Sequence, residues 1–175
     1  MCPLTKMSEE QIFEMISENE PGRELLRHAL ATIAYRGGKT LRDAGPDFAG
    51  FRISERSRSP VEILAHIGDL MEWASSIARG KEEWTKVEPM TWDQEVERFF
   101  ASLRAFDAYL ASAEPLSCSP LQLFQAPVAD ALTHVGQLAM LRSLAGKPIR
   151  GENYFVADIA AGRVGAEQAA PRFEF

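Results

Sequence analysis

Apolar residues recur at three- and four-residue spacing over four long stretches of the chain, each bounded by residues that start or stop helices. The first opens at Pro21 and carries Leu25, Leu26, Ala29, Leu30 and Ile33 on one face; Gly37-Gly38 weakens its last turns, and it should end near Ala44. The second follows Ser59-Pro60, an N-cap and a first helical position, and runs through Ile63, Ile67, Leu70, Ala74 and Ile77 to Gly80. Thr91 caps the third, residues 92–113, whose face is Val96, Phe99, Phe100, Leu103, Phe106 and Leu110. The fourth covers residues 126–146. Its wall is Val128, Leu132, Val135, Leu138, Met140, Leu141 and Leu144, with Pro127 in the first turn and Gly146 before Pro148 as the stop. No convincing pair of β-strands competes, so the pattern predicts an all-α fold, a four-helix bundle.

The flanking segments are shorter or irregular. Ser8 with Gln11 matches a capping box that would open a short N-terminal helix, Glu9 to Asn19, after a tail from Met1 to Thr5. Residues 45–59 read as a polar loop with Phe48, Phe51 and Ile53 as anchors, residues 81–90 as a charged connection, and residues 114–123 as a loop containing Pro115 and Pro120. After Gly146 an irregular C-terminal tail, 147–175, carries Tyr154, Phe155, Val156, Ile159, Phe173 and Phe175. So many aromatics would make a large apolar patch unless the tail packs over the helices or a partner.

Composition narrows the functional classes. At 175 residues the expectation is one domain over 1–175, with a helical core 21–146. With 19 basic and 25 acidic residues the net charge is −6, which argues against nucleic acid, because neutralising phosphates needs a basic face. No apolar run approaches the roughly 18 residues of a membrane span. The N-terminus, MCPLTKMSEEQ, has no apolar signal core, so the expectation is a cytoplasmic chain without membrane contact. The two cysteines, Cys2 and Cys118, have neither disulfide-framework nor metal-ligand spacing and read as free thiols.

Candidate chemistry lies on the second and fourth helices. Asp130 and His134 stand one turn apart, project in nearly the same direction as Leu141, and so face inward. His66 sits at the flank of the second helix's apolar stripe, whereas His28 lies well off the first helix's stripe and reads as surface. Inward polar groups need partners. One answer is a hydrogen-bonded core pair of Asp130 and His134. Another is a divalent transition ion held by His66, Asp130 and His134, since bundle cores hold metals with side chains from facing helices. Two imidazoles and one carboxylate leave positions open, as catalytic sites do.

The runs ILAHIGDL (Ile63 to Leu70) and THVGQLAMLRSLAG (Thr133 to Gly146) resemble the DinB-like (DinB/YfiT) superfamily of small helical metalloproteins, which has a histidine on helix two and H-x-x-x-H-x-G-Q on helix four. The likeness covers residues 21–146. It implies an up-down-down-up bundle, often a homodimer, with His66 as the helix-two ligand and His134 as the second helix-four ligand. Asp130 stands where the family has the first helix-four histidine. A carboxylate there adds negative charge and shifts preference from zinc towards nickel, iron or manganese. Glu62 and Asp69 are candidate acceptors for the His66 ring, although a solvated face also accounts for them. Gln137 either orients a ligand or joins two helices, and Gly136 reads as room for close helix packing.

What the resemblance implies is a metal-dependent transferase or isomerase using a low-molecular-weight bacterial thiol and acting on a small-molecule substrate, the ion stabilising the thiolate. Arg56 and Arg58, just before the second helix, either receive an anionic substrate or are solvated loop charges. No catalytic residue is assigned. The alternative is a non-catalytic dimeric binding or stress-response protein in which Asp130 and His134 are a structural pair. Hydrolysis by an ion-bound hydroxide would need a general base, and no residue stands out for it. His66 and the Asp130/His134 pair lie at similar depths from their helix starts. An antiparallel arrangement would therefore need an axial stagger of about 10 Å at 1.5 Å per residue, and a parallel one none.

Overall fold

The computed structural model describes the backbone of residues 9–175 and side chains from residue 21 onward. It is all-α, and among the described residues the sole β feature is an isolated antiparallel bridge between Glu152 and Glu174. Helix α1 spans Glu9–Leu41, α2 Pro46–Ala49, α3 Pro60–Ala78, α4 Trp92–Ala111, α5 Pro120–Leu123 and α6 Ala129–Leu144. A π-helical turn, Phe124–Val128, joins α5 to α6, and a 3-10 turn covers Tyr154–Val156.

Capping chemistry set two of these starts. Ser59 and Glu62 form a reciprocal box at α3, Glu62 Oε2 accepting from the Ser59 amide at 2.7 Å, and Thr91 with Gln94 does the same for α4. Elsewhere the expected boundaries moved. The expected short helix from Glu9 to Asn19 and the one opened by Pro21 are a single helix of 33 residues with Pro21 inside. Proline costs that helix one backbone bond, but the turns on both sides continue it. The box at Ser8, the tail from Met1 to Thr5 and Cys2 lie outside the described residues.

Gly37-Gly38 lies within α1, which ends at Leu41, close to the expected Ala44. A Cβ on Gly37 would lie 2.5 Å from Phe99 Cζ, so the missing side chain lets α4 press its buried phenylalanine against α1. In the 45–59 loop, Phe48 is buried and meets Trp92 edge-on at 5.7 Å, Phe51 is partly buried, and Ile53 is exposed rather than an anchor.

Named contacts give the helix directions. Arg27 meets Asp107 at 2.9 Å while Gly37 meets Phe99, so α1 and α4 are antiparallel. Arg98 of α4 reaches the Ala65 carbonyl at 3.2 Å and Tyr109 the Ala78 carbonyl at 3.2 Å, so α3 and α4 run parallel. Gly22 abuts Pro120 and Arg142 donates to the Thr40 carbonyl at 2.9 Å, so α1 and the α5–α6 stack run parallel. Trp73 walls a groove with Ala126, and His66 approaches Asp130 and His134, so α3 and α6 are antiparallel. Leu26, Leu30, Ile33, Leu64, Ile67, Met71, Phe99, Leu103, Phe106, Leu110 and Leu138 fill the space between them, each essentially inaccessible.

The C-terminal segment packs back on α1 through Tyr154, which meets Tyr35 edge-on at 6.3 Å and lies under the Arg36 guanidinium at 4.5 Å, and through a buried carboxylate, but not through its phenylalanines. Phe155, Phe173 and Phe175 are exposed, whereas Glu152 is buried. Its carboxylate accepts from Tyr35 Oη at 2.6 Å and Lys39 Nζ at 2.7 Å, and Lys39 also donates to Glu174 at 2.7 Å. Backbone bonds from Asn153 to Phe173 and from Phe175 to Gly151, both 3.0 Å, close the segment on itself. A buried lysine needs a counter-charge more than exposed rings need cover. No helix among the described residues is long and apolar enough to cross a membrane.

Candidate metal centre

The antiparallel pairing of α3 and α6 needs an axial stagger before His66 can meet Asp130 and His134, and the residues before α6 supply it. Residues 114–123 are not all loop: the helical backbone begins at Pro120. Those six extra residues ahead of Ala126 add about 9 Å at 1.5 Å per residue, close to the offset an antiparallel pair requires. Pro127 sits inside the π-helical turn. Its ring crowds the carbonyl four residues back and it has no N–H to donate, so the widened turn relieves the clash and carries the chain on into α6.

There the structure brings three side chains together. His134 Nε2 is 3.4 Å from Asp130 Oδ1, and His66 Nε2 is 3.7 Å from Asp130 Oδ2. The two imidazoles meet nearly edge to face, centroids 4.8 Å apart. One nitrogen or oxygen from each residue lies within 4.8 Å of the other two. Asp130 is not hydrogen-bonded to either ring. Two ligands each about 2.1 Å from one ion and about 109° apart stand about 3.4 Å from each other, so these separations suit a coordination shell better than a satisfied pair.

Protonation is arranged to match. His134 is buried, and its Nδ1 lies 2.8 Å from Gln137 Oε1, one turn further along α6. With the amide oxygen accepting from Nδ1–H, Nε2 keeps its lone pair towards Asp130. Gln137 thus bonds the His134 ring within α6 rather than joining two helices. Burial pushes the His66 pKa below its ordinary value, helped by the charges of His134 and Arg58 and opposed by those of Asp130 and Asp69. A neutral imidazole is the form that binds metal. The Asp130 side chain is 46% exposed, which leaves one side of the trio open to solvent.

The surrounding residues sort differently from their expected roles. Glu62 caps α3 and pairs with Arg52 at 2.7 Å. Asp69 is buried rather than solvated; it pairs with Arg98 at 2.7 Å and accepts from the Val87 amide at 3.4 Å. Neither is hydrogen-bonded to His66. Gly136 faces open space, so it does not serve helix packing. Met140 and Leu144, expected in the α6 wall, are exposed, and His28 is exposed as expected.

Trp84 is the neighbour that sequence reasoning passed over. It lies edge-on to His66 at 5.9 Å and to Trp73 at 5.4 Å, closing one flank of the trio. A lone large aromatic in the charged run KEEWTKVEP was the available signal. With the geometry in hand, the comparisons add no likeness: no family model, curated protein or solved structure matches this chain.

Proposed function

We infer that this chain is a divalent-metal-binding protein of the DinB-like kind, with α1, α3, α4 and α6 as an up-down-down-up four-helix bundle, and that it acts as a metal-dependent transferase or isomerase on a low-molecular-weight thiol. The observation that carries the reading is the convergence of His66, Asp130 and His134 at ligand-shell separations without hydrogen bonds among them. The contact-derived helix directions and the His134-Val135-Gly136-Gln137 run support it.

In this reading His66 and His134 donate Nε2, Asp130 donates a carboxylate oxygen, and Gln137 holds the His134 tautomer. When bound, the ion supplies the Lewis acidity that keeps a thiol ionised at neutral pH. Trp84 and Trp73 stand beside the trio, which stays open to a substrate at the half-exposed Asp130 and along the His66 edge. The working unit is a homodimer in the cytoplasm, which light scattering would test.

Metal content by mass spectrometry on untagged protein tests the centre. Nickel, zinc, iron or manganese should bind near one per chain and be lost in Asp130→Ala and His134→Ala. Asp130→His, which restores the family's histidine, should keep a metal and favour zinc. A wild type that takes up none of the four ions would overturn the reading. That result would favour the second reading, a non-catalytic dimeric binding protein whose Asp130 merely bridges two imidazoles; it is favoured by the departure from histidine at that position.

A further inference from the structure

His66 also lines a cleft of about 440 Å³ to which Asp130 and His134 do not contribute. One wall is the loop ahead of α3, and the other is the segment from Trp84 to Pro89, with Ala65, His66 and Asp69 between them. Both walls are built rather than draped. Arg52 donates to the Ser57 carbonyl and to Glu62 at 2.7 Å, and Ser57 Oγ donates to the Ser54 carbonyl at 2.8 Å. Opposite, Asp69 accepts from the Val87 amide, Glu95 accepts from the Met90 amide at 2.9 Å, and Trp84 lies against His66.

These contacts use up part of the charge. Glu62 is taken by Arg52, and Asp69 shares the guanidinium of Arg98 with Glu72 and Glu95. Arg56, Arg58 and Lys86 remain on the cleft wall without an ion pair among the described residues, against the carboxylates Glu55 and Glu88. Three unpaired cations therefore face two unpaired carboxylates on the cleft wall, in a chain whose acidic residues outnumber its basic ones, 25 to 19. Guanidinium groups match the geometry of carboxylate and phosphate oxygens, and concave walls concentrate their field.

We propose that this cleft is an oxyanion site, in which Arg56, Arg58 and Lys86 hold the carboxylate or phosphate group of a small molecule whose remaining atoms reach the His66 edge of the candidate centre. That the molecule reacts there rests on the metal reading; that its anionic group binds in the cleft does not. Arg58 is also near enough for its charge to be felt at the His66 ring.

The test is titration of metal-free full-length protein with succinate and with inorganic phosphate at matched ionic strength, followed by Trp fluorescence and amide chemical shifts. Succinamide serves as the neutral control. Saturable binding of either anion, none of succinamide, and a Kd weakened about tenfold in Arg58→Gln or Arg56→Gln, the size of one lost charge-assisted bond, would bear the proposal out. The stronger of the two anions tells a carboxylate site from a phosphate site. No saturable binding at millimolar anion, or unchanged binding in both arginine variants and in Lys86→Gln, would overturn it. Asp130→Ala separates the two readings, since it should abolish metal uptake and leave anion binding unchanged.

Discussion

Two clusters of buried or half-buried titratable groups differ in how completely they are satisfied. Around Glu152 both carboxylate oxygens are taken, one by Tyr35 at 2.6 Å and one by Lys39 at 2.7 Å, and Lys39 has a second acceptor in Glu174. Around Asp130 the ring nitrogens stand at 3.4 and 3.7 Å, and among the described residues the sole side-chain hydrogen bond of the trio runs from His134 to Gln137. Low dielectric punishes unpaired charge, and the cluster that ties the tail to α1 closes its bonds. The trio stands at wider separations, with one member half exposed. The first cluster binds the C-terminal segment to α1; the second is the one we propose holds a metal.

That contrast yields graded expectations. Glu152→Ala leaves Tyr35 Oη without its acceptor and Lys39 with the partly exposed Glu174 alone, and should cost about 3 kcal/mol in urea unfolding, with earlier proteolysis of residues 147–175. A loss below about 1 kcal/mol would put the cluster in the same class as the trio. Gln137→Ala leaves the Nδ1–H of buried His134 without its acceptor, which should cost about 1–3 kcal/mol of stability. The same change should lower metal affinity about 10–100-fold, as the loss of an orienting acceptor does.

Asp130→Ala should change stability by no more than about 0.5 kcal/mol in metal-free protein, because its side chain is half exposed and unbonded. A large destabilisation there would make Asp130 a structural bridge. Smallest is the exposed Arg52–Glu62 pair. Arg52, then the Ser59 amide, hold the Glu62 carboxyl below its ordinary 4.5. The stabilisation is therefore complete above that value and lost as pH falls through the lower folded pKa. Arg52→Gln should flatten the acid side of the melting profile by about 0.3 kcal/mol, the size expected of a surface ion pair.

Much of the helical layout was legible. Ser59-Pro60 with Glu62 and Thr91 with Gln94 are local devices, complete within one turn, and α3 and α4 begin where they say. Pro21 was ambiguous because proline favours a first turn yet tolerates an interior one when the flanking turns hold, and only the continuous α1 separates the cases. Pro120 was read as loop for the complementary reason, since it starts a helical stack whose next proline forces a π-helical turn. The tail's polar attachment was hidden because Lys39 and Glu152 are far apart in sequence and neither spacing nor hydropathy links them.

By itself the sequence determined the all-α class, the extents of α3 and α4, and the placing of Asp130 and His134 on one stripe. Those follow from hydrogen bonds and side-chain periodicity spanning no more than four residues. Only the tertiary structure decided that α3 runs antiparallel to α6 with His66 level with that stripe, that Gly37 admits Phe99, and that Lys39 is neutralised by Glu152. Each of these depends on how helix length and packing set one element's depth against another, a relation between distant residues that no local pattern encodes.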